Sequence, residues 1–105
     1  MRFENEYGYC ELNPFPGCNQ IVVSNHAFVY PEHRGKGHGF ANHQKRVARA
    51  TKLGYNLIVC TVRANNIAEK KILTKGDWTK ALEFTNTESG NQVELWYKEL
   101  HHVPS

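Results

Sequence analysis

The stretch "VYPEHRGKGHGFANHQKRVARATKLG", Val29 to Gly54, decides how the rest of the chain is read. The β-rich run Ala27-Phe28-Val29 stops at Pro31, which has no N–H to give to a ladder. Gly35, Gly37 and Gly39 follow at alternate positions. From Gly37 to Leu53 the residues Phe40, Ala41, Val47, Ala48 and Ala50 recur on one helical face, and Asn42, Lys45, Arg46, Arg49 and Lys52 lie mostly opposite. Gly54 supplies the stop. A strand thus hands over to a helix through a backbone almost bare of side chains. Amide N–H groups can converge there, and the helix dipole favours an anion such as phosphate. The GxxxxGK[ST] phosphate loop is absent, because no Gly-Lys-Ser/Thr follows at the required distance. A GxGxxG dinucleotide loop fails as well, since the third glycine comes one residue early and no acidic ribose ligand lies about 20 residues on.

Working outward, Phe3–Leu12 alternates loosely and predicts a first strand, closed by the turn signal Asn13-Pro14-Phe15-Pro16-Gly17. Ile21-Val22-Val23 and Ala27-Phe28-Val29 predict a second strand region, interrupted around Ser24-Asn25. Leu57–Val62 is a nearly continuous β-branched run, the mark of a central strand buried on both faces. Asn66–Lys75 predicts a short helix with Ile67, Ile72 and Leu73 inward and Glu69, Lys70 and Lys71 outward, ended by Gly76-Asp77. Trp78–Thr85 and Gln92–Leu100 predict a hairpin across Glu88-Ser89-Gly90-Asn91, and His101–Ser105 a frayed tail. One helical crossover joins two strands that should be parallel, so the expected fold class is α/β (α+β) with a mixed sheet.

At 105 residues there is room for one domain, residues 1–105, and 40% hydrophobic with 22% charged residues is globular composition. Cys10, Cys18 and Cys60 form no CxxC pair, and the polar N-terminus has no signal-peptide pattern, which predicts a reducing, cytoplasmic setting. No apolar run approaches the ~20 residues of a membrane span. The net charge of +3 is concentrated in Arg34–Lys52, which suits nucleic acid, membrane phosphates or a phosphorylated cofactor equally well. The six histidines show no ligand spacing, so no metal site is expected.

Arg34-Gly35-Lys36-Gly37-His38-Gly39, preceded by Val29-Tyr30-Pro31-Glu32, resembles the pyrophosphate loop of the GCN5-related N-acetyltransferase (GNAT) superfamily, worded V-x-P-x-x-R-G-x-G-x-G. The helix, Gly54, the apolar strand and "VRANN" at Val62–Asn66 arrive at that family's spacing, so the resemblance covers about Gln20 to Trp78. It implies a mostly antiparallel sheet with a central parallel pair and flanking helices, here without the family's N-terminal strand and helices. It implies acetyl-CoA as co-substrate, with Arg34 to Gly39 on the phosphates, the edge of Ala27, Phe28 and Val29 on pantetheine, and Asn66 as a further contact. Asn66 also suits a helix N-cap.

The chemistry that the resemblance implies needs a base for the ammonium, donors for the oxyanion and an acid for the thiolate. The family's tyrosine acid falls at Leu73 and its occasional glutamate at Thr61, and neither can exchange a proton. His26 is the preferred base, because its ordinary pKa suits neutral pH. Glu32 in the loop is the other candidate. His38 belongs with the phosphates, and Cys60, inside an apolar run, reads as core. The short N-terminus implies an acceptor side that is open or completed by another subunit, which suits a protein or peptide amine, with a small amine as the alternative; an exposed sheet edge suits a homodimer. The leading expectation is a minimal N-acetyltransferase acting by direct attack. A catalytically silent acyl-CoA-binding or protein-interaction module is the alternative, and a nucleic-acid binder stands third.

Overall fold

The computed structural model describes residues 1–100, apart from the side chains of residues 26–28. Six strands form one sheet in the order β1-β2-β3-β4-β6-β5. They are β1 (Arg2–Asn5), β2 (Gly8–Phe15), β3 (Cys18–Val29), β4 (Leu57–Arg63), β5 (Thr79–Thr85) and β6 (Gln92–Glu99). Helix α1 (His38–Lys52) crosses from β3 to β4 and α2 (Ile67–Lys75) leads from β4 to β5, while Pro31–His33 form a single 3-10 turn. Among the described residues, β3 and β4 form the one parallel pair. The mixed sheet with its one parallel pair is the architecture expected from the strand and helix order. The expected fraying of His101–Ser105 lies outside the described residues.

The core sits on one face of the sheet. Val22, Ile58, Cys60, Val62 and Trp96 meet Ala50 of α1 and Leu73 of α2, with Leu12, Trp78 and Leu100 closing the cluster. The opposite face carries Ile21, Val23, Leu57, Val59, Leu95 and Tyr97 half-buried, with Leu82 and Phe84 exposed. This is why β4 alternates between buried and open positions instead of being buried on both faces as its apolar run suggested. Glu94, 2% exposed, ties the second helix to the terminal hairpin: it accepts from Trp96 Nε1 at 2.9 Å and faces Lys70 Nζ at 3.0 Å and Lys80 Nζ at 3.6 Å.

Four local expectations need correction. Phe3–Leu12 is not one strand, because the Asn5 side-chain carbonyl accepts the amides of Tyr7 (2.8 Å) and Gly8 (3.1 Å) and turns the chain back on itself. Pro14 and Phe15 belong to β2 and not to a loop; β1 ends opposite Glu11, so Pro14 lies where β2 is an edge and needs no N–H. On α1 the buried residues are His43, Arg46 and Ala50, while Ala41 and Ala48 are exposed, so Arg46 was assigned to the wrong face. Ile67 opens α2 and is 55% exposed, leaving Leu73 as that helix's core anchor.

β3 runs unbroken past Ser24-Asn25, but its ladder does not. Tyr9 pairs with Phe28 and Glu11 with Asn25, so β3 takes three steps where β2 takes two. Such a bulge bends and twists the strand that carries it. On the other side, β3 pairs with β4 only over Ile21–Val23 against Leu57–Val59. Beyond Val23 and Val59 the two central strands part.

Candidate functional site

The parting strands open a cleft of about 390 Å³ between Ser24 and Asn25 of β3, Cys60 to Arg63 of β4, Asn66 and Glu69 of α2, and Arg46 of α1. A smaller cavity of about 100 Å³ lies between Val29, the α1 residues Gly39, Asn42 and His43, and Ile72. Arg46 and Glu69 line both. The two spaces therefore share a wall and together reach from the start of α1 to the parting point of the sheet.

The loop from β3 to α1 is built on backbone conformations that L side chains avoid. Gly35 has φ +79° and Gly37, the N-cap of α1, has φ +82°, and a Cβ at either would meet nothing within 4 Å. Their need for glycine is conformational, and the space before them is open. Gly39 differs: a Cβ there would sit 3.1 Å from Ile72 Cδ1, so its glycine lets α1 approach α2. Gly37 offers no side-chain cap, and the first-turn amides of an α-helix have no intrahelical partner, so those N–H groups face outward. Arg34 folds back, its Nε donating to the Val29 carbonyl at 2.9 Å, and this fixes the loop to the end of β3. His38 stacks on Tyr7 at 3.7 Å between ring centroids, with His33 edge-on to the same ring at 5.0 Å. The turn between β1 and β2 thereby braces the glycine loop.

Of the residues picked from the sequence, Arg34, Gly35, Lys36, Gly37, His38 and Gly39 cluster in this loop, and Val29 leads into it. Ala27 and Phe28 continue the β3 backbone beyond its pairing with β4; their side chains, and that of His26, lie outside the described residues. Asn66 caps α2, accepting the Glu69 amide at 3.2 Å, and also lines the cleft. Glu32 is exposed in the 3-10 turn. Leu73 is fully buried. Burial pushes the Cys60 thiol up to about 12, against the opposing pull of Arg46, so it is inert at neutral pH.

Three cleft residues escaped the sequence: His43, Arg46 and Glu69. Burial, then the charges of Arg46 and Lys98, lower the His43 pKa to about 4. Neutral His43 takes a hydrogen bond from Arg46 Nη2 at 2.7 Å on Nδ1, which leaves the proton on Nε2. Glu69 Oε1 stands 3.9 Å from Arg46 Nη2, too far for a hydrogen bond. Among the described residues, Arg46 Nε and His43 Nε2 are buried and have no partner. The legible signal was spacing: Gly39, His43, Arg46 and Ala50 fall at steps of four, three and four along one helical stripe.

Comparison with solved structures places this architecture. The chain superposes on the ribosomal-protein-S18-alanine N-acetyltransferase of Escherichia coli with TM-score 0.79 at 13% identity, over 100% of this chain and 72% of that one. The Salmonella typhimurium protein yncA, solved with its cofactor acetyl-CoA, matches at TM-score 0.80 and 19% identity, over 94% and 62%. A Bacillus subtilis acetyltransferase in complex with CoA matches at TM-score 0.78 and 18% identity, over 90% and 70%. The fold is that of the GNAT acetyltransferases, and at these identities the likeness is one of fold. The chain spans between 56% and 72% of the lengths of such neighbours. No family model and no curated protein matches the sequence. Among the described residues no helix is long and apolar enough to cross a membrane.

Proposed function

We propose that this chain binds acetyl-CoA and transfers its acetyl group to an amine, a protein or peptide lysine or N-terminus in the first place and a small amine as the alternative. The observation that carries this is the parting of β3 from β4 beside a glycine loop whose amides open onto solvent. Arg34, Gly35, Lys36, Gly37, His38 and Gly39 would hold the pyrophosphate, and the β3 backbone at Ala27, Phe28 and Val29, paired with β2 on one side and beyond its pairing with β4 on the other, would pair with the pantetheine amides. Asn66 would touch the cofactor from the cap of α2. The bound thioester supplies the activated acyl carbon. The amine nitrogen bonds to that carbon as the C–S bond breaks; His26 takes the ammonium proton, and the departing thiolate takes one from water. Holding both reactants in one cleft supplies much of the rate, so a modest base suffices. The free thiols of Cys10, Cys18 and Cys60 suit a reducing, cytoplasmic setting, and a homodimer would complete the acceptor side.

The complete burial of Leu73, at the position where the family resemblance puts a tyrosine acid, favours a second reading in which the cleft binds acyl-CoA without turnover. Calorimetry with CoA and acetyl-CoA, then thiol release with a panel of amines and peptides, separates the two. We expect binding, abolished by Gly37→Glu, which puts a strained and negatively charged residue where phosphate would lie. Turnover on at least one acceptor, reduced by His26→Ala, supports the transferase; binding with no turnover on any acceptor supports the silent module. An absence of CoA binding refutes both.

A further inference from the structure

The cleft between β3 and β4 has a charged floor, which acetyl transfer does not use. Arg46 is 6% exposed and lines the cleft where the central strands part, together with Ser24, Asn25 and Cys60. A guanidinium has five N–H donors in a planar fork suited to carboxylates. Here one donor is spent on His43 at 2.7 Å, the Glu69 carboxylate stays 3.9 Å away, and Nε is buried with no partner among the described residues. Leaving a buried charged donor unmet is costly, and native structures seldom do so without a use for it. Among the described residues the charged side chains lining the cleft are Arg46 and Arg63 against Glu69, an excess of positive charge. His43 cannot compete for an anion as a cation, since its environment keeps it neutral at physiological pH.

We infer that the floor of this cleft recognises a carboxylate, so that the protein accepts, in addition to acetyl, short acyl groups ending in a carboxylate, of the malonyl or succinyl type, and binds their CoA thioesters more tightly. This rests on the proposed acyl-CoA reading of the cleft. Arg46 would present its fork to the terminal carboxylate, with Ser24, Asn25 and Thr61 completing a polar lining that a methyl group does not need. Glu69, 3.9 Å from Arg46 Nη2, would oppose the anion and set the strength of the preference.

The test is a set of calorimetric affinities for CoA, acetyl-CoA, malonyl-CoA and succinyl-CoA on the whole chain. The wild-type protein should bind at least one dicarboxylic thioester about tenfold or more tightly than acetyl-CoA, a modest return for one charge-assisted pair. In Arg46→Met that ratio should fall to near one, and in Arg46→Lys, which keeps the charge but loses the fork, it should fall part of the way. Glu69→Gln removes the opposing carboxylate without touching Arg46 and should raise the ratio, which keeps the idea testable if Arg46→Met does not fold. Equal affinities in the wild type, or a preference that survives Arg46→Met, overturn the inference while leaving the cofactor site intact. Failure of every CoA species to bind overturns the cofactor reading itself.

Discussion

Replacing His43 by glutamine should flatten the dependence of stability on pH between neutrality and pH 5. In the folded protein His43 stays neutral down to about 4, whereas in the unfolded chain it takes up a proton near 6.5. Stability from this residue is therefore complete above 6.5 and falls as pH drops towards 4, because only the unfolded state gains the proton. At about 1.4 kcal/mol per pH unit the gap is worth roughly 3 kcal/mol, of which about 2 kcal/mol is lost between pH 7 and pH 5. That is a sizeable part of the 5–15 kcal/mol typical of a domain. Glutamine keeps an oxygen that can accept from Arg46 Nη2 but carries no titrating group. Urea unfolding followed by the fluorescence of buried Trp78 and Trp96 at pH 7, 6 and 5 measures both proteins. The window lies above the ordinary carboxylate range, and the other five histidines are common to both proteins, so the difference between the two slopes isolates His43. Equal slopes for the two proteins would refute the assignment of a buried neutral histidine.

Glu94→Gln should cost about 2 kcal/mol in urea unfolding, because Lys70 loses a partner at 3.0 Å and the amide keeps only the Trp96 contact. Desolvation pushes the Glu94 pKa up, but the hydrogen bonds from Lys70 and Trp96 and the charges of Lys70 and Lys80 more than offset it and hold it low. Its contribution is thus complete above the ordinary carboxylate range and lost as pH falls below it; the variant should lack that acid-side loss. Asn66→Ala should lower stability by about 1 kcal/mol through the lost cap to Glu69, and Asn66→Asp should restore it; equal stability of all three would remove the capping role. Gly76→Ala places a Cβ 2.8 Å from His43 Nε2 and should cost about 1–3 kcal/mol, more than the roughly 1 kcal/mol of Gly35→Ala, where only the positive φ is offended. Thermal melts that reverse this order would show that the packing of α1 against Gly76 is looser than described.

How much of this was legible depends on whether the information is local. The glycine loop is contiguous, and three glycines between a β-rich run and a helical stripe report their own conformation, so the loop could be read directly. The helix and strand order followed from the same kind of punctuation. The hairpin at Asn5 was missed because Asn5 and Gly8, the first and last residues of its turn, lie within a continuing alternation that was read as one strand. Arg46 was misplaced because a charged residue was taken as a vote for solvent; its burial depends on His43, one turn away, and on Glu69, which lies 23 residues later in the chain. The cleft was invisible for the same reason. Its walls come from β3, α1, β4 and α2, and only the folded register brings them together.

The three residue pairs that join β3 to β4 carry a mechanical consequence. With the bond from the Asn56 amide to the Gln20 carbonyl at 2.8 Å beside them, they form the backbone seam between a half-sheet of β1, β2 and β3 and a half-sheet of β4, β6 and β5, so the molecule is built like a book with a short spine. Pages held by so short a spine can swing, and the polar groups along the parted edges must be met by water when nothing else is present. An occupant that bonds to both edges would act as added stitching. It would slow amide exchange along Ser24–Val29 and Cys60–Arg63 together, in residues it touches and in neighbours it does not.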